Sequence, residues 1–200
     1  MSRYTDAKCR LCRREGAKLY LKGIRCEGEK CAFTRRQQAP GQHGTSRRRL
    51  SNFGVQLREK QKAKRIYGLL EKQFRSYVTK AMKTKGVTGE EVMRQLELRL
   101  DNMVYRSGFA MSRAQARQYV RRGFFTINTK ICDIPSARLR AGDILKPVDF
   151  EKTSPREGFT LPDWLSANLA EKSIKVERLP LSEDMPADFN VQMIVEFYSR

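Results

Sequence analysis

Between Val55 and Met82 the apolar side chains Ile66, Tyr67, Leu70, Phe74, Tyr77, Val78 and Ala81 return at intervals of three and four. That spacing puts them on one face of a helix, so a single amphipathic helix is expected here, ended by Gly86 and Gly89. The pattern resumes from Glu90 with Val92, Met93, Leu96, Leu100, Met103 and Val104, and predicts a second helix up to Gly108. A third, shorter helix is expected in "SRAQARQYVRRG". Ser112 and Gln115 form a capping-box pattern at its start, and Gly123 suits the left-handed position after its end. Beyond it, "FFTINTKICDI" reads as two strands around Asn128 and Thr129, and "AGDILKP" as another short strand after a Gly-containing turn.

The flanks are less patterned. Residues 1 to about 50 have little periodicity and much turn chemistry, including "CEGEK" and "APGQHG", and are expected to form an irregular arm that something other than a large core must hold. Residues 151 to 190 are Pro-bearing and weakly patterned. The final "VQMIVEFYSR" is β-rich in composition but too short to classify. At 200 residues the chain has room for one domain or two small ones.

Charge changes this picture. The 41 Lys and Arg against 22 Asp and Glu leave a formal charge of +19, a self-repulsion that a polyanionic partner relieves. The excess is uneven: residues 1–50 carry 14 basic and 4 acidic side chains, 51–150 carry 21 and 9, and 151–200 carry 6 and 9. The partner is therefore expected to meet the first three quarters of the chain. An anionic membrane is the rival polyanion, but no apolar window approaches the ~18 residues of a spanning helix. "MSRYTDAKCRL" lacks the apolar stretch of a signal peptide. A soluble protein in a reducing compartment is expected, where clustered cysteines bind metal or do redox work more often than they form disulfides.

Cys9, Cys12, Cys26 and Cys31 have the spacing C-x2-C-x13-C-x4-C. Two close pairs joined by a loop are what a tetrahedral thiolate site requires, and one structural zinc ion is the favoured reading. An iron-sulfur cluster uses the same four thiolates; two disulfides and four unrelated thiols are the plainer alternatives. Four thiolates leave zinc no open position for water and give the site about −2 charge, which Lys8, Arg10, Arg13, Arg14 and Arg25 compensate. Such a staple supplies on the order of 10 kcal/mol of folding free energy, enough to hold the arm's arginines still against phosphate. The solitary Cys132 is expected as a small buried side chain within a strand.

Arg113, Arg117 and Arg121 lie at i, i+4 and i+8 on one edge of the third helix, with Arg122 beside it. A solvated face normally mixes signs, and this helix has no acid, so contact with nucleic acid is favoured. Arg35, Arg36 and Arg47 to Arg49 bracket "APGQHG", whose Pro40, Gly41 and Gly44 allow close backbone approach, while His43 offers a planar ring and a donor. Arg47, Arg48 and Arg49 are each candidate RNA contacts, as are Arg58, Lys62, Arg65, Arg106 and Lys130. RNA is favoured over DNA: there is no two-Cys, two-His finger and no heptad-bearing basic region, and charge spreads over several elements. No catalytic set assembles, since the chain holds one His and no Gly-rich phosphate loop with its Lys.

"CRLCRREGAKLYLKGIRCEGEKCAFTRRQQAPGQHG", "RLDNMVYRSGFAMSRAQARQYVRRGFFTINTKICDIPS", "AGDIL" and "IVEFYSR" closely resemble, in order and over essentially the whole chain, bacterial-type ribosomal protein four of the small subunit in its cysteine-bearing form. The resemblance implies a non-enzymatic, cytoplasmic α+β protein with a metal-bearing N-terminal arm (1–45) and a helical domain (46–96, completed by 170–200). Within the latter it implies an inserted small α/β RNA-binding domain with a short sheet (97–152), followed by a connection (153–169). It also implies primary binding of small-subunit ribosomal RNA at a helical junction of the 5′ domain, early in assembly. Contacts to small-subunit proteins five and three and to messenger RNA (mRNA) where it enters the subunit follow, with an effect on decoding accuracy; no membrane and no small-molecule substrate are implied. Some bacterial members repress their own message.

Two positions depart from the family pattern. Asn128-Thr129 stands where Asn-Gly is usual, and a type I′ turn is costly for a β-branched Thr, so another turn is expected. Val191 stands where an acid is common, which puts in doubt a polar contact to protein five there. The same small α/β module accompanies pseudouridine synthases, so an RNA-modifying enzyme is one alternative, although the chain leaves no room for its catalytic domain. A zinc-dependent DNA-binding regulator is the other.

Overall fold

The arm expected to be irregular carries three short helices, α1 (Cys9–Glu15), α2 (Ile24–Glu27) and α3 (Ala32–Arg35), in a computed structural model that describes residues 4–45, 49–153, 155, 156, 158–184 and 188–200. Gly16, at φ 65°, closes α1 by donating its N–H to the Cys12 carbonyl, the left-handed stop for which glycine is suited.

The long helix expected from Val55 to Met82 is two: α4 (Asn52–Ile66) and α5 (Glu71–Lys83). The apolar spacing passes through the break, but Gly68 adopts φ 63° and Leu69 N–H returns to the Lys64 carbonyl, which ends α4. The second expected helix also divides, into α6 (Thr88–Glu97) and α7 (Leu100–Arg106). Here the cause is tertiary. Arg99 is extended and bridges to Arg138, while Leu139 N–H donates to the Leu98 carbonyl and Leu100 N–H to that of Ala137.

The third helix, α8 (Arg113–Arg121), is capped as expected. Ser112 Oγ accepts from Gln115 N–H at 3.3 Å, while Gln115 Oε1 accepts from Met111 N–H at 2.9 Å, one residue before the position a standard capping box uses.

β1 (Phe125–Ile127), β2 (Lys130–Ile131) and β3 (Ile144–Pro147) are the three strands expected. They are joined by β4 (Leu165–Asn168) and β5 (Ser173–Val176) in one antiparallel sheet of order β2-β1-β3-β5-β4. This corrects the expectation that 153–169 is a connection and that the helical domain is completed from 170: residues up to Met185 stay with the sheet, and the completion starts at Pro186. Asn128 takes φ 58° but Thr129 is not left-handed, so the hairpin uses a turn other than type I′. Cys132 follows β2 rather than lying within a strand, and is half-buried against the core. The last segment, too short to classify from sequence, is a helix, α9 (Val191–Tyr198). Asn190 caps it, its Oδ1 accepting from Met193 N–H at 3.2 Å.

Packing divides the chain into two units, Met1–Gly89 with Pro186–Arg200 and Glu90–Met185. In the first, Ala63, Ile66, Phe74, Tyr77, Val78, Phe189 and Ile194 are buried, and α4 packs on α9. In the second, Leu100, Met103, Val104, Phe109, Val120, Phe125, Leu145, Trp164, Ile174 and Val176 form a continuous core between the helices and the sheet. Gly108, at φ 76°, ends α7, and the Phe159 ring packs where a side chain at 108 would stand.

Candidate nucleic-acid interface

Cys9 and Cys12 sit one turn apart on α1, Cys26 lies on α2, and Cys31 precedes α3. Cys12, Cys26 and Cys31 are buried, Cys9 is half-buried, and none is in a disulfide. Backbone N–H groups aim at the sulfurs: that of Lys22 lies 3.3 Å from Cys26 Sγ, that of Leu19 faces Cys12, and those of Thr34 and Phe33 face Cys31. Burial pushes the Cys12 and Cys26 thiols up, and the neighbouring sulfurs add to it, so the four share one electrostatic neighbourhood. Burial acts on Cys31 as well, but its N–H and Thr34 hydrogen bonds bring that thiol below its usual value. The donor types and their N–H partners suit a thiolate-bound ion. Among the described residues, however, no group of three or more His, Cys, Asp or Glu side chains is arranged to hold a metal ion.

The arm's cations face outward. Arg10, Arg14, Arg35, Arg36, His43 and Arg49 are exposed, and Arg13 is half-buried with its Nε donating to the Gln38 carbonyl at 2.8 Å. Arg35 Nε donates to the Glu29 carbonyl at 3.1 Å. His43 stands in a turn so tight that a side chain at Gly44 would strike the Ala39 carbonyl. Arg47 and Arg48 lie outside the described residues.

Not every expected contact is available. Arg58 and Arg65 of α4 converge on Glu15, at 3.4 Å for Arg58, with Arg65 Nη1 on the same Oε1. The Glu15 side chain is 1% exposed and its second oxygen has no hydrogen-bond partner. Burial pushes this carboxyl above its usual range against the pull of the two arginines. Lys62, between them in sequence, is half-buried and makes no ion pair among the described residues.

In the second unit the acid missing from α8 comes from α7, and an acid of α6 engages the last arginine of α7. Arg117 pairs with Asp101 at 2.9 Å, Arg113 Nε donates to Asn102 at 2.8 Å, and Arg106 forks onto Glu97 at 2.9 and 3.1 Å. Of the α8 edge expected to face phosphate, Arg121 with its neighbour Arg122 is exposed and makes no ion pair among the described residues, as is true of Lys130 in β2. Arg113 and Arg156 both lie over the Tyr105 ring, 4.5 and 4.8 Å from its centroid. Arg156 belongs to the weakly patterned stretch and was not expected from sequence; no local signal there announces it.

Residues 3–97 match the family described as the ribosomal protein S4/S9 N-terminal domain, and residues 98–145 match the S4 domain. Over the whole length of both chains the sequence is 54% identical to small ribosomal subunit protein uS4A of Clostridium botulinum and 53% identical to small ribosomal subunit protein uS4 of Thermodesulfovibrio yellowstonii. A uS4 protein of Acetivibrio thermocellus is 52% identical, again over both full lengths. With identity above half over the full length of both chains, and the two domain models matched in succession over residues 3–145, the chain belongs to the uS4 family of small ribosomal subunit proteins.

Proposed function

We propose that this chain is a structural, non-enzymatic protein of the bacterial small ribosomal subunit, working in the cytoplasm by binding the subunit's ribosomal RNA. The observation that carries this is the full-length identity to uS4 proteins. The outward cations of the arm, with Arg121, Arg122 and Lys130, are the side chains available to neutralise phosphates. Neither an RNA-modifying enzyme nor a DNA-binding regulator finds support in that likeness.

The finer reading is that the protein binds early at the 5′ domain and nucleates its folding. It then meets proteins five and three beside the mRNA path and so influences decoding accuracy. Cys9, Cys12, Cys26 and Cys31 would hold one structural zinc ion, which when bound supplies cross-linking of the arm and no reaction chemistry. What supports this is the ligand spacing and the N–H groups aimed at three of the sulfurs.

Binding to 5′-domain RNA across a salt series, with excess transfer RNA as competitor, tests the core of the proposal. Tight binding that survives competitor is expected. Weak binding abolished by competitor, with a salt slope of roughly 0.7 to 0.9 per phosphate neutralised, would show charge without specificity and overturn it.

A further inference from the structure

Within the second unit, α6, the 138–141 segment and Leu179 enclose a cleft of about 620 Å³, within the ~300–1,000 Å³ range of binding pockets. Its floor is aliphatic: Leu98 and Leu139 are 7% and 1% exposed, and Leu179, at 41%, stands at the mouth.

Its walls are basic. Arg94 Nη1 donates to Glu91 at 3.0 Å, Gln95 Nε2 donates to the other Glu91 oxygen at 3.0 Å, and Arg138 Nη2 donates to Gln95 at 2.7 Å. One glutamate thus faces three arginines, since Arg140 lines the cleft with no ion pair among the described residues. Arg94 Nε is buried without a hydrogen-bond partner, a donor whose desolvation is uncompensated.

We propose that this cleft docks a segment of a partner protein in which an aliphatic side chain lies next to Asp or Glu. The aliphatic group would fill the leucine floor, and the carboxylate would meet Arg140 and Arg138. Ribosomal RNA is the poorer occupant, because the lining has no aromatic ring on which a base could stack and the Leu98–Leu139 floor offers a phosphate or ribose nothing to bond. A carboxylate at the rim with an aliphatic anchor at the centre matches the polar rim and apolar core of protein interfaces. The cleft lies on none of the RNA contacts assigned above, and the inference rests on the chain's place in the small subunit.

The test assembles full-length protein carrying Leu179→p-benzoylphenylalanine into small subunits, irradiates them and sequences the adduct. Sedimentation of the protein with the subunit checks the underlying reading, and the adduct checks the cleft, so the two can fail separately. A cross-link to a protein segment with Asp or Glu within a few positions of Leu, Ile or Val is expected. Adding Arg140→Glu should lower the yield about tenfold or more, with affinity for isolated 5′-domain RNA kept within about twofold. An RNA-only adduct, a segment without an acid, no adduct, or a yield indifferent to Arg140→Glu would each overturn the proposal. So would an Arg140→Glu protein whose RNA affinity drops and whose salt slope falls by about one, since the cleft would then be an RNA contact.

Discussion

Asp101 accepts from two guanidiniums at once, that of Arg99, which is fully buried, at 3.0 and 2.7 Å, and that of Arg117 on α8 at 2.9 Å. Replacing it with Ala removes the carboxylate on which a buried guanidinium forks, a change that costs about 3–5 kcal/mol; urea unfolding should show that loss. The half-buried Asp149, paired with Lys152 and accepting from Glu151 N–H in a surface turn, should cost far less on replacement by Ala in the same measurement. Glu71 gives a pH-dependent counterpart. Although burial opposes it, hydrogen bonds from Lys60, Tyr198 and Lys64 bring its pKa down to about 2. Its folded value lies below its unfolded one, so its contribution is present above the ordinary carboxylate range and is lost as pH falls toward about 2. Burial and the same carboxylate push the Tyr198 phenol up, so the contribution of its protonated form is lost as pH rises beyond the ordinary phenol value. Thermal unfolding followed against pH should show a shallower acid limb in Glu71→Gln, which remains able to accept from Lys60.

Among the elements, α9 depends most on its partners. Its cap residue Asn190 donates its own N–H to Glu59 of α4 at 2.7 Å, Glu196 accepts from Gln56 at 2.9 Å, and the Phe197 ring lies 5.4 Å from that of Phe53. Asn190→Ala should destabilise the first unit by about 1 kcal/mol, and amide exchange in α9 should report it before exchange in α8 changes. The signal for this helix was in the chain: Val191, Ile194, Val195 and Tyr198 recur at three and four behind an Asn. Their β-branched composition points to strand, whereas periodicity and the cap point to helix, and the latter decide. The breaks within the two long apolar patterns differ in kind. Gly68 marks the first and was there to be read, but the second at Leu98 and Arg99 exists because the backbone of 137–139 supplies hydrogen-bond partners from across the fold.

At the scale of the whole chain, the +19 charge splits into cations spent on internal acids and cations left for RNA. Arg121→Ala and Arg122→Ala should each lower the salt slope of RNA binding by about one without altering the melting temperature. Arg117→Ala should lower the melting temperature first, because Asp101 and Arg99 lose a member of their cluster. If the four thiols hold zinc as proposed, a chelator should disorder residues 1 to about 45 and leave α4 and α5 helical; an arm spectrum unchanged by chelation and by added zinc would remove the staple. The cation count, the capped α8 and the first hairpin were legible in sequence because each rests on residues near one another along the chain. β4 and β5 were not, since LSAN and SIKV lie in the Pro-bearing, weakly patterned stretch without the β-branched and aromatic run or the turn signals that marked the first hairpin. They are strands because β3 offers β5 an edge and β5 in turn offers one to β4. The sequence by itself determined that this protein is a basic, RNA-directed member of its family. Only the tertiary structure decided which arginines face outward, because the acids that neutralise Arg58, Arg65, Arg106 and Arg117 lie from 9 to 50 residues away in sequence. Spacing within one helix cannot reveal such partners.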